Sequence, residues 1–283
     1  MKLGRLVREM RFASRMPWYL GSMHDTILES RNRERMLASP NPLNHAGRKH
    51  FSQADEDGIT LEIFRRLGVS KGTFVEFGVG DGLENNSLVL ISLGWRGIWI
   101  GGQKLAFEID PKWKTFRFLK SWITRNNIVE TLNSGLDGFE QPDFISLDFD
   151  GNDLYLVKEI LDAGFRPSLF VVEFNGKFPP GAEFSIAYDE QHMWDFEDYF
   201  GASLTSFMKI FEPSGYFLAA TNSFTGANAF FVLETHRQLF SDVPQDLNLL
   251  YQEPWYDIYY RHLHSKVGKT VRRMIEMNES RST

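Results

Sequence analysis

A chain of 283 residues is long enough for one α/β domain with appendages, and its 25 Phe give it a large core with rings to spare for a pocket wall. A net charge of -6 speaks against nucleic-acid binding, which needs clustered Lys and Arg. The absence of Cys excludes disulfides, a thiolate nucleophile and Cys-ligated zinc, and fits a cytoplasmic protein. No apolar run approaches the ~20 residues of a membrane span.

Residues 1–50 read as an N-terminal helical extension and linker. Lys2, Arg5, Arg8, Arg11 and Arg15 are opposed by Glu9 alone, while Leu3, Leu6, Val7 and Met10 recur at helical spacing. Such a helix either lays residues 2–20 on an anionic membrane surface or packs its apolar stripe on the protein. The second is the expectation for a chain of this composition. Residues 38–50, with Pro40, Pro42 and Gly47, read as the linker.

A regular pattern spans 51–235. Ser52 followed by Asp55 predicts a capping box, then Ile59, Ile63 and Leu67 make a helical stripe that Gly68 ends. Thr73–Phe77 is a strand, 86–93 a helix and Gly97–Ile100 a strand. Lys112–Thr124 is predicted helical and Asn127–Leu132 a third strand. Asp143–Asp148 and Ser168–Phe174 are buried strands around a helix at 154–163. Ala202–Phe211 is a helix, and Tyr216–Thr221 and Ala229–Glu234 are final strands joined by a turn. Alternation predicts a Rossmann-like, mostly parallel seven-stranded sheet with a final antiparallel strand, plus helical extensions at both ends. Residues 236–283 are the polar C-terminal extension. His262 and His264, two apart, do not share a helix face.

The strongest signal is Glu76-Phe77-Gly78-Val79-Gly80-Asp81-Gly82, a glycine-rich turn between a predicted strand and helix. Glycines let backbone approach a ligand, and the helix N-terminus behind them offers unpaired N–H groups. The spacing resembles motif I of class I S-adenosylmethionine-dependent methyltransferases, whose final antiparallel strand also matches the predicted sheet. The resemblance extends to the FkbM-like branch and its relatives. It is carried by Ser52-Gln53, Glu56-Asp57-Gly58, Asn85-Asn86-Ser87, Gly94-Trp95-Arg96-Gly97 and Asp148-Phe149-Asp150-Gly151-Asn152-Asp153, over about residues 52–235. It implies that S-adenosylmethionine is held by Glu76, Gly78, Gly80, Gly82, Asn86 and Gln103. One departure stands out. Such enzymes carry an acid for the ribose hydroxyls after the second strand, whereas this chain reads Gly101-Gly102-Gln103, with Glu108 and Asp110 as stand-ins.

Ligands of open parallel sheets bind beyond the carboxyl ends of the strands. That rule singles out Asp148, Asp150, Asn152 and Asp153 after the fourth strand, and Glu173 and Asn175 after the fifth. Asp148, Asp150, Glu173 and Asn175 are hard oxygen donors suited to Mg²⁺ or another divalent cation. Metal-dependent small-molecule methyltransferases place similar groups there. The plain alternative is a turn at 150–153 with Asn152 as helix cap. Residues 177–201 form a long aromatic insertion, read either as a lid or substrate wall or as a satellite hydrophobic cluster covering the sheet edge. His192 within it is the candidate general base.

The expectation is methyl transfer to an oxygen of a sugar or small metabolite, with Asp148, Glu173, Asn175 and His192 handling the small-molecule or carbohydrate acceptor. The alternative is a non-catalytic Rossmann-like module for assembly or membrane docking that has lost cofactor binding. A third is another nucleotide-using enzyme on the same fold.

Overall fold

The computed structural model describes residues 2–254 and 268–282, so His262 and His264 lie outside the described residues. The chain divides into two compact units, Met1–Ser39 and Pro40–Thr283. The first is one helix, α1 (Lys2–Ala38), which runs through Pro17. Trp18, Leu20, Met23 and Ile27 on α1 are exposed, while the side chains of the stripe expected at Leu3, Leu6, Val7 and Met10 lie outside the described residues. Among the described residues no helix is long and apolar enough to cross a membrane.

The second unit holds α2 (Glu56–Leu67), β1 (Thr73–Phe77), α3 (Leu88–Ser92), β2 (Arg96–Gly101), β3 (Phe116–Lys120), α4 (Ile128–Gly135), β4 (Phe144–Leu147), α5 (Asp153–Asp162), β5 (Leu169–Glu173), α6 (Leu204–Phe211), β6 (Tyr216–Thr221), β7 (Asn228–Leu233), α7 (Leu247–Leu250) and α8 (Gly268–Ser282). The seven strands form one sheet in the order β3-β2-β1-β4-β5-β7-β6. β7 runs antiparallel to β5 and β6, and the pairs among β1–β5 are parallel. The chain steps outward from β1 to β3 and then returns to β4 on the other side of β1. In open parallel sheets the carboxyl ends of the strands at such a reversal, here β1 and β4, are the edge where ligands bind. β1 and β4 are buried along their whole length, as strands covered on both faces must be.

Three expectations fail locally. The stretch 112–124 contains β3 rather than a helix, because Phe116–Lys120 finds a ladder along β2 from Gly97 to Gly101. Residues 128–132 lie in α4, with Asn127 at its N-cap, rather than in the strand expected at 127–132. Ile128, Leu132 and Gly135 are buried one and two turns apart, and that face outweighs the β-branched residues beside it. The Ser52–Asp55 capping box is also absent, since the Asp55 side chain caps nothing in α2. Instead it accepts the Ser223 and Phe224 N–H groups at 2.8 and 3.0 Å, while Asp57 gathers the N–H groups of His50, Phe51 and Ser52.

Residues 40–50 are packed rather than a loose linker. Asn41 and Asn44 donate their side-chain amides to the Ala219 and Thr221 carbonyls of β6, each at 2.8 Å. β6 is a sheet edge, and these bonds satisfy carbonyls that would otherwise invite another strand.

Candidate functional site

The three glycines of the turn after β1 do different things. Gly78 has φ +74°, and a Cβ there would stand 1.6 Å from the Asp148 carbonyl oxygen, so β1 and β4 meet only because the position is bare. A Cβ on Gly82 would lie 2.9 Å from the Trp99 ring and 3.1 Å from Leu105. Both glycines are required by the protein's own packing. Gly80, at φ +53°, would meet nothing within 4 Å. Of the three, it alone faces free space.

Glu76 and Asn86, expected to hold cofactor, are engaged by the scaffold instead. Trp99, Glu76 and Ser146 stand in one register row across β2, β1 and β4. Glu76 accepts the Asn86 N–H at 2.8 Å, the Ser87 N–H at 3.0 Å and the Ser87 hydroxyl. The Asn86 side chain donates to the Ser146 hydroxyl at 3.1 Å, and Trp99 Nε1 donates to the Ser87 hydroxyl at 2.8 Å. The buried carboxylate thus takes the place of a cap for α3, satisfying N–H groups that a helix start leaves unpaired. Burial raises the Glu76 pKa, and the bonds from Ser87 and Asn86 pull it back.

The acids after β4 and β5 converge as expected. Asp148, Asp150 and Glu173 each bring an oxygen within 4.8 Å of the others. Burial, then repulsion from Asp148, Asp150 and Asp153, lifts the Glu173 carboxyl well above the usual carboxylate range. Surrounding protein, then Asp150 and Asp153, does the same to Asp148. The Asp148 side chain keeps a face to solvent, and that water tempers the rise. The two carboxyls are within hydrogen-bonding reach of each other, so one proton held between them relieves the repulsion. Ionised, Glu173 has a buried Oε2 with no donor. Asp150 is raised by burial and drawn back by His192.

Asp153 and Asn152 have roles the sequence did not reveal. The Asp153 carboxylate accepts the Phe149 N–H at 2.9 Å and the Gly151 N–H at 3.0 Å. Those bonds hold the loop in which Asp150 adopts φ +53°, a backbone costly for any residue but glycine. Burial, partly offset by those N–H groups, raises Asp153 to about 6. Asn152 does not cap α5 through its side chain, which donates to the Asp189 carbonyl of the insertion at 2.7 Å.

Asn175 leaves the metal-ligand set. Its amide nitrogen donates to the Asp198 and Phe200 carbonyls at 3.0 and 3.1 Å, and its oxygen accepts the Lys177 N–H. It ties down the two ends of the 177–201 insertion.

That insertion lies over the carboxyl edge of the sheet, and its Phe178, Phe184 and Ile186 form a buried cluster of their own apart from the main core. Trp122 and Asn126, beyond β3, donate to the carbonyl and carboxylate of Glu190 at 2.8 and 3.0 Å. The Tyr188 hydroxyl accepts the Arg125 N–H at 3.0 Å. Its other end is held by α8, where Thr270 donates to the buried Asp198 at 2.7 Å and Lys269 pairs with Asp195. His192 reaches the acid cluster, with its ring against Gly151 and its Nε2 buried without a partner. Trp194, half-buried, donates to the Glu197 carbonyl within the insertion itself.

Gln103 is exposed two residues beyond β2, and Glu108 and Asp110 are exposed in the loop that follows. Trp122 stands over Gly102, 3.2 Å from where a Cβ would be.

The sequence matches no protein-family model and no curated protein. Among solved structures it is similar to a candidate hemolysin from Lactococcus lactis, at 14% identity and a TM-score of 0.38 over 61% of this chain and 84% of that one. A likeness at that level carries no functional argument.

Proposed function

We propose that the chain is an S-adenosylmethionine-dependent methyltransferase acting on a hydroxyl of a sugar or small metabolite. The observation that carries this reading is the carboxyl edge of β1, β4 and β5. Gly80 leaves open backbone just beyond β1, and the carboxyls of Asp148, Asp150 and Glu173 gather at the ends of β4 and β5. The fit to the cofactor is partial. Gly80 offers room for close approach and Gln103 a neutral hydrogen-bonding group, while Glu76 and Asn86 act behind the turn by fixing its shape.

The oxygen donors of Asp148, Asp150 and Glu173 suit Mg²⁺ or another divalent cation, since they are hard, close together and include a buried oxygen with no donor. Such an ion supplies acidity to a hydroxyl bound beside it. The protein's own contribution is positioning and proton transfer. With its pKa raised by burial, a carboxylate of the Asp148–Glu173 pair is a stronger base than a surface acid and accepts the acceptor proton at a carboxylate oxygen. His192 sits beside Asp150 to take the proton onward at Nε2. The 188–192 stretch limits water at that edge. Transfer from a sulfonium then depends mainly on alignment.

Calorimetric titration with S-adenosylhomocysteine tests the reading. Saturable binding by the natural chain, abolished by Gly80→Val while the fold is retained, supports it. Absence of binding would leave the commitment of Glu76 and Asn86 to the scaffold as the mark of a non-catalytic module.

A further inference from the structure

The edge strand β3 closes the other end of the sheet's parallel half. The connection 102–115 from β2 to β3 contains no helix, although parallel crossovers usually bring one to cover the strand they enter. One face of this edge strand is therefore left to a loop, and a cleft of about 430 Å³ opens between them, within the range of small-ligand sites.

The cleft has two chemically distinct ends. Phe116, Phe118 and Lys120 alternate onto one face of β3, and both rings are half-buried. Phe107 and Trp113 from the loop stand at the rim, both exposed. Lys120 ends the strand in register with Gly101, and Lys104 follows Gly101 by three residues, so both ammonium groups stand at the carboxyl end. Neither makes a hydrogen bond or ion pair with any described residue. From Phe116 to Lys120 the strand rises about 13 Å.

We propose that this cleft binds a planar ring carrying a phosphate, as a nucleoside monophosphate does. The ring lies against Trp113 and the β3 phenylalanines, and the phosphate reaches Lys104 and Lys120. Lys104, Lys120 and Arg117 outnumber the one acid of the lining, Asp110, whose carboxylate accepts the Lys112 N–H, and net positive charge next to an aromatic floor favours an anion with an apolar body over a neutral sugar or a bare ion. Aromatic faces stack on any base, so the site is tolerant of base identity. Leu105 and Phe107 of its lining lie beside Gly82, so the cleft adjoins the turn after β1, but Gly80 and the acids after β4 and β5 are not in its lining, and it stands whether or not the chain is a methyltransferase.

Titration of the full chain with uridine monophosphate tests this, followed by calorimetry and by quenching of tryptophan fluorescence. Saturable binding is expected, with uridine and inorganic phosphate each at least tenfold weaker. Lys104→Ala with Lys120→Ala, and separately Trp113→Ala, should each weaken uridine monophosphate at least tenfold. All three positions are on the rim, and circular dichroism checks that the fold is kept. Binding unchanged in these variants, or no saturable binding, overturns the site. Displacement by S-adenosylhomocysteine, or loss in Gly80→Val, would put the nucleotide beside Gly80 and overturn it equally.

Discussion

His192 lies so close over Gly151 that a Cβ on the glycine would stand 2.2 Å from the imidazole Cδ2. The contact joins the insertion to the loop that carries Asp150. Gly151→Ala, whose φ does not need glycine, should therefore displace the ring and loosen the 188–192 stretch. Limited proteolysis should cut there faster than in the natural chain, and adding His192→Ala should restore resistance by removing the clash. Equal cleavage rates in the natural chain and in Gly151→Ala would mean the two do not bear on each other.

Glu76→Gln should destabilise the fold by roughly 2–4 kcal/mol, because a buried carboxylate that accepts three donors is replaced by a group with one acceptor oxygen. Urea unfolding measures it. A loss below about 0.5 kcal/mol would contradict the capping role, as surface changes are of that size.

Glu56 should make stability fall with rising pH. Burial, then the charge of Asp55, raises it to about 7, and its Oε1 accepts the side-chain amides of Asn222 and Asn228 at 2.8 and 3.2 Å. A carboxyl whose folded pKa lies above its unfolded one binds more protons in the fold. Its stabilisation is complete below about 4.5 and is lost as pH rises through about 7. Asp153, raised to about 6, acts in the same direction. Urea midpoints should drop between pH 5 and 7.5, and less steeply in Glu56→Gln. Parallel slopes would place the titration elsewhere.

The carboxyls of Asp148, Asp150 and Glu173 repel one another without a cation, so Asp148→Asn should stabilise the metal-free protein at pH 8. Mn²⁺ should raise the melting temperature of the natural chain, more at pH 8 than at pH 5.5 because protons compete for raised carboxyls, and should not raise it in Asp148→Asn with Glu173→Gln. A pH-independent Mn²⁺ effect, or one kept in the double variant, would remove these acids from the ion's surroundings.

Alternating apolar runs and glycine stops in the sequence determined the sheet, its antiparallel last strand and the edge on which the acids gather, because these follow from local periodicity and from the chirality of crossovers. Asp148, Asp150 and Glu173 were legible for the same reason: each lies at or just beyond the end of a recognisable strand. Partners far along the chain decided the rest. Glu76, Asn86 and Asn175 look like ligand groups in sequence, but each finds its hydrogen bonds inside the fold, Asn86 with Ser146 60 residues away. Residues 116–120 are strand where a helix was expected, and 128–135 are helix where a strand was expected at 127–132, because an open edge of β2 and a buried face outweighed local propensity. Which polar group is left free for a ligand is therefore a property of the folded chain, since a buried donor or acceptor takes its nearest partner in space, whatever its place in the sequence.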